Sequence, residues 1–167
     1  MVLYGRLMEL EIDKIEPIEI NQNISRKPKF GFGSMDELRR VVEIYGDEHS
    51  PLVWLIKRRP TPTGIDGLYQ VEVELNICVE ETRTELLNTQ RVDPYHSYET
   101  VLLPLWKKIF RQLEVSGSID IVEDSIKAPI DEPNYKFDGE HETQRIWDVL
   151  KVIFTIQFNK EYTPCCQ

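Results

Sequence analysis

Carboxylates, cysteines, histidines and clustered cations are the side chains in this sequence whose types could carry chemistry. Glu72, Glu74 and Glu80 recur at even spacing within YQVEVELNICVE. Residues two apart on an extended strand project from one face, so these carboxylates would form a row. In a cleft that raised their pKa values, such a row could exchange protons or hold a divalent cation. On a half-exposed strand it is simply a solvated face, which is the plainer reading. If the row has a function, a lining of negative charge suits it better than catalysis. Cys78 falls on the same face, and a nucleophilic thiolate wants a basic neighbour. The charged residues nearest to it on that face are glutamates.

The remaining candidates are weaker. Cys165 and Cys166 are adjacent near the C-terminus, where a vicinal pair can bind a soft metal but a chance pair in a tail is simpler. His49, His96 and His141 fall in three separate predicted loops, without a partner at metal-ligand spacing. Glu140-His141-Glu142 sets carboxylates beside a histidine, but adjacent loop residues rarely converge on one ion. Arg26, Lys27 and Lys29 form one basic cluster, and Lys57, Arg58 and Arg59 a second. Both suit an acidic protein surface better than a specific nucleic acid. Gly31-Phe32-Gly33 is a fragment of a dinucleotide-binding fingerprint that the following residues do not complete. No catalytic, cofactor-binding or metal-binding residue is therefore expected, and no cofactor. Glu72, Glu74 and Glu80 and the six residues of the two basic clusters are candidates for a channel lining or an interface.

The elements that would position these residues follow from periodicity. Tyr69, Val71, Val73, Leu75, Ile77 and Val79 alternate with polar residues, which predicts a strand over 69–80 with one apolar and one mostly acidic face. Leu52-Val-Trp-Leu-Ile56 predicts a shorter strand, joined to the first as a hairpin through the turn-rich Pro60–Gly67. The closing strand runs from Ile146 to Asn159, its first face apolar except for Asp148. Ser34-Met-Asp-Glu37 is a capping box, and it opens a helix over 35–45. Val101, Leu105, Ile109 and Leu113 mark an amphipathic helix over 98–114, with Ser97 as its cap and Pro104 imposing a kink or a late start. Residues 119–122 predict a strand. Residues 2–20 fit either a helix or a strand, and 21–33 and 128–141 read as loops. The expected fold is α+β: an antiparallel sheet with a long hairpin and two main helices packed on one face. It forms a single domain over 1–167, with an arm or extra element at 1–33, a core at 34–160 and a tail at 161–167.

Composition agrees. A chain of 167 residues, 41% hydrophobic and 29% charged, can bury a core without disulfides or metals. Its three cysteines do not make a disulfide framework, which suits synthesis in a reducing cytoplasm. The charged N-terminus does not resemble a signal peptide, and no apolar run reaches transmembrane length. A net charge of −9 repels phosphate backbones, yet would let DNA slide past without sticking.

The order SPLVWLIKR, YQVEVELNICVE, ETVLLPLWKKIFRQL and IWDVLKVIFTIQFNKE resembles the tail-terminator and tail-completion proteins of tailed bacteriophages. The resemblance covers residues 34–160 and rests on order and texture, not on a motif. It implies a non-enzymatic virion protein at the neck, made in the host cytoplasm. The protein would form a homo-oligomeric ring, expected to be a hexamer, that caps the tail tube and meets neck or connector proteins. DNA would pass through without specific binding. The alternative is a binding module with an apolar pocket between sheet and helix, lined by Trp54, Trp106, Trp147 and Phe154. An enzyme acting through cleft carboxylates ranks third.

Overall fold

The computed structural model describes residues 3–21, 24–45, 50–81, 97–135 and 146–159. Along the chain come α1 (Leu3–Ile12), β1 (Ile18–Asn21), β2 (Ile24–Arg26), β3 (Lys29–Gly33), α2 (Met35–Tyr45), β4 (Leu52–Ile56), β5 (Thr61–Pro62) and β6 (Leu68–Glu81). A π-helical turn, Tyr98–Leu102, then runs into α3 (Leu103–Glu114), followed by β7 (Asp120–Val122), β8 (Ile130–Tyr135) and β9 (Ile146–Asn159). The fold is α+β, with a mainly antiparallel seven-stranded sheet.

Strands β6 and β9 are the spine. Each has 14 residues, and they pair antiparallel from Leu68 opposite Asn159 to Glu81 opposite Ile146. The expected hairpin is present: β4 pairs antiparallel with β6, Leu52 opposite Cys78. On the far side β7 and β8 both pair with β9. One pair is parallel, β3 with β4, which makes the sheet mixed.

Period-two alternation gives the sheet two covered faces. The first carries Val53, Leu55, Val73, Leu75, Ile77, Val152, Phe154 and Ile156, all buried in one cluster with Tyr4, Leu7 and Met8 of α1 and Leu105, Trp106 and Ile109 of α3. The second carries Leu52, Trp54, Cys78, Trp147 and Val149, clustered with Leu38 and Val42 of α2. Two helices do share a face, but they are α1 and α3. The helix at 35–45 takes the other side. The apolar patch it covers is built from residues of three strands that are distant in sequence, so no single strand advertises it.

Two predicted loops are strands in part. Within 21–33, β1 and β2 form a small antiparallel pair and β3 joins the main sheet. Phe30 and Phe32 pack toward the first core, while Gly31 and Gly33 lie under Trp54. A Cβ on Gly31 would stand 2.2 Å from Trp54 Cε3, so the glycines make room for an indole and do not mark a turn or a phosphate loop. Within 128–141, β8 is an edge strand, where proline is tolerated because it need not donate to the ladder.

Local chemistry elsewhere follows the sequence more closely. The capping box closes in both directions: the Ser34 amide donates to Glu37 Oε2 at 2.7 Å, and the Glu37 amide donates to Ser34 Oγ at 3.2 Å. Pro104 sits in the first turn of α3, just after the π-helical turn, where its missing N–H falls at the junction of the two. Ser97 does not cap that helix; its hydroxyl donates to the buried Asp148 instead. That bond gives the one carboxylate on the apolar face of β9 a donor.

Candidate functional site

Positioning begins with Tyr4. Its fully buried hydroxyl donates to the Arg58 carbonyl and accepts from the Arg58 amide, both at 2.8 Å. The backbone just beyond β4 is thereby fixed to α1. From there the Arg58 guanidinium reaches Glu74, Nη2 to Oε2 at 3.0 Å, and Glu72, Nη1 to Oε1 at 3.7 Å. Lys127, in the segment between β7 and β8, closes the other side of Glu72, with Nζ 2.9 Å from Oε2. The Lys127 hydrogen bond holds the Glu72 carboxyl below its ordinary range, with help from the charges of Lys127 and Arg58.

Beside this network is an open groove of about 540 Å³, lined by Arg58, Arg59, Thr61, Gln70, Val71, Glu72 and Thr155. Both arginines of the second basic cluster and one glutamate of the acidic row therefore meet at one place. What the arrangement can do is electrostatic: it can hold polar or charged groups against a surface whose own charges are largely balanced.

The acidic row is not a continuous wall. Between Glu74 and Glu80 lie Asn76, 1% exposed, and Cys78, fully buried. Glu80 stands opposite Trp147, and its backbone amide donates to Ser50 Oγ at 3.2 Å. Burial pushes the Cys78 thiol far up, and its Sγ lies 3.7 Å from the Asn76 carbonyl oxygen. A thiol held in that state is a core group, not a nucleophile.

The two basic clusters do not merge. Arg26, Lys27 and Lys29 stand at the entry to β3, and Lys57 at its exit, where the Lys57 amide donates to the Gly33 carbonyl at 2.8 Å. Lys27 and Lys29 are exposed. Cys165, Cys166, His49, His96 and His141 lie outside the described residues. Among the described residues no group of three His, Cys, Asp or Glu side chains could hold a metal ion.

The sequence did not single out Lys127, Gln70, Thr61 or Thr155. Lys127 reaches Glu72 across 55 positions of chain, and nothing local in the sequence marks that pairing. A second unflagged group is Glu11, 5% exposed, which accepts from Lys14 at 2.9 Å, Gln112 at 2.8 Å and Ser116 at 3.1 Å. It ties α1 to the end of α3.

The aromatic residues of the pocket alternative do not share a cavity. Trp54 and Trp147 belong to the cluster under α2, whereas Trp106 and Phe154 lie on the opposite face with ring centroids 5.5 Å apart. In comparisons with known proteins, no family model matches the sequence, and no curated protein matches it significantly.

Proposed function

We propose that this chain is a non-enzymatic assembly protein of a tailed-phage virion, of the tail-terminator type. Its copies close a ring at the head–tail junction, cap the tail tube and present a surface to neck proteins. The observation that carries this reading is the sheet itself. Two 14-residue strands form its spine, short strands flank them on both sides, and among the described residues nothing pairs with the outer edge of β3 or of β8. Open edges on a mixed sheet are natural sites for strand addition.

Two findings weigh against catalysis. Cys78 is sealed in the core, and Glu72 is held ionised by Lys127 and Arg58. An ionised, ion-paired carboxylate is a poor general acid. The channel-lining role is the weaker half of the reading, because Glu72 and Glu74 already face cations. In this account they secure the segments after β4 and β7 against β6, and DNA passes the ring without a dedicated acidic track.

Negative-stain electron microscopy of the purified chain tests the reading. Closed rings with a central opening are the expected particles. Solid particles of single-chain size at every protein concentration would sink it.

A further inference from the structure

The outer edges of β3 and β8, unpaired among the described residues, fit each other. Successive partners across the sheet run Lys29–Leu52–Cys78–Val149–Glu132, so Lys29 and Glu132 end the same row on opposite sides. The neighbouring rows end in Phe30 with Asp131 and in Gly31 with Ile130. Because β3 is antiparallel to β6 and β8 is parallel to it, the two edges run antiparallel to one another.

The hydrogen-bond parity also agrees. The Lys29 amide donates to the Pro51 carbonyl, and the Gly33 carbonyl accepts from the Lys57 amide. Those bonds turn Lys29, Gly31 and Gly33 toward β4, and leave the amide and carbonyl of Phe30 and Phe32 facing away from it. On the other side the Lys127 amide donates to the Ile153 carbonyl. Odd residues of β9 therefore face β8, which turns Ile130 and Glu132 inward and Asp131 outward. Phe30 and Asp131, the two outward residues, fall on one row.

We propose that a second copy of this chain docks its β8 edge antiparallel on the β3 edge of the first, with Phe30 opposite Asp131 and Lys29 opposite Glu132. This rests on the ring reading and names its contact. Charge supports the choice of a second copy as occupant. The β3 edge opens with the exposed Lys27 and Lys29, and the β8 rows at that end carry Asp131 and Glu132. Glu132 holds Lys151 through Oε1 at 3.2 Å, and its buried Oε2 has no partner among the described residues. Ile130 is 48% exposed at the same edge and would pack against the Trp54 indole that lies over Gly31. Pro129 and Pro133 flank the row on β8 and cannot donate. Asp131 is then the sole outward amide over 129–133, which fixes one register and prevents sliding. The contact is heterologous, so it builds a ring when the rotation closes.

Disulfide trapping tests this directly. In a Cys165→Ser/Cys166→Ser background, Lys29→Cys/Glu132→Cys is oxidised and run on a non-reducing gel. Within one copy the two positions are four interstrand spacings, about 19 Å, apart and cannot bridge. Across the proposed contact they form a directly opposed pair with Cα atoms about 4.5 Å apart. The expected result is a ladder of covalent oligomers ending at the ring size, while each single cysteine variant yields no ladder. Charge reversal supplies a second arm. Lys29→Glu and Glu132→Lys should each lose the ring species by size-exclusion chromatography, and an equimolar mixture should regain an oligomer. Rings that form without a ladder and survive both reversals would overturn this contact alone; Pro129 and Pro133 would then be a protected edge. A chain that never assembles would overturn the ring reading as well.

Discussion

Gly31 and Trp54 show how much one atom decides. The indole lies over the β3 backbone, and a methyl group at Gly31 would overlap it at 2.2 Å. Gly31→Ala should lower stability by about 1–3 kcal/mol in urea unfolding, the usual cost of overpacking a well-packed site. Trp54→Leu in the same chain should recover part of that loss, so the two changes are non-additive. Cys78 makes a second residue-scale prediction. In the Cys165→Ser/Cys166→Ser background, a thiol reagent should label nothing in the native protein and one site after denaturation. Labelling at native rates equal to a free thiol would contradict the buried position. Glu11 gives the third. Burial pushes its carboxyl up, but the bonds from Lys14, Gln112 and Ser116 pull it further down, and the net result lies below the ordinary value. A depressed folded-state pKa contributes stability that is present above the unfolded pKa and lost as pH falls through the folded one. Glu11→Gln should therefore flatten the acid limb of the stability curve below about pH 4.5, with little change in that limb's shape at neutral pH. A steep acid limb that persists in the variant would show that other groups set it.

Elements were legible where a signal is local. The capping box gave the start of α2, and both of its hydrogen bonds are present. Ser34→Ala should cost about 1 kcal/mol, read as a shift in thermal midpoint. Alternation over 69–80 gave β6, and the apolar spacing over 98–114 gave the helical stretch that a π turn and α3 share. What stayed hidden depends on chains meeting from far away. The strand character of 29–33 was masked by two glycines whose purpose is a residue 23 positions from the first of them. The strand at 130–135 is masked by Pro133, which an edge tolerates, and by Pro129 just before it. The side taken by α2 depends on Trp54, Cys78 and Trp147 forming one patch, and no window of sequence contains all three. Glu72 and Glu74 do share a face, but that face is buried at Asn76 and Cys78, and no local pattern marks the cations that meet it. Arg58 sits in a run of cations that suits an acidic partner surface, and Lys127 is 55 positions from Glu72. Because these pairs are partly exposed, replacing Glu72, Glu74 and Glu80 together by Gln should leave the fold intact, at a cost of about 1 kcal/mol for each exposed pair at most. Loss of the folded circular-dichroism spectrum in that triple variant would give the row a larger structural role than its exposure suggests.

At the scale of the molecule, a net charge of −9 is compatible with self-association because the charge is not evenly spread. Exposed cations gather at the entry to β3, and Asp131 and Glu132 lie on the β8 edge at the same end of the sheet. Self-association through such edges should weaken with salt over roughly the Debye length, about 10 Å at 0.1 M. The most direct measurement is the mass of the purified full chain by light scattering across a concentration series. A closed oligomer is expected at six times the 19.7 kDa chain mass, with no further growth at high concentration. A species of 19.7 kDa at every concentration would contradict it.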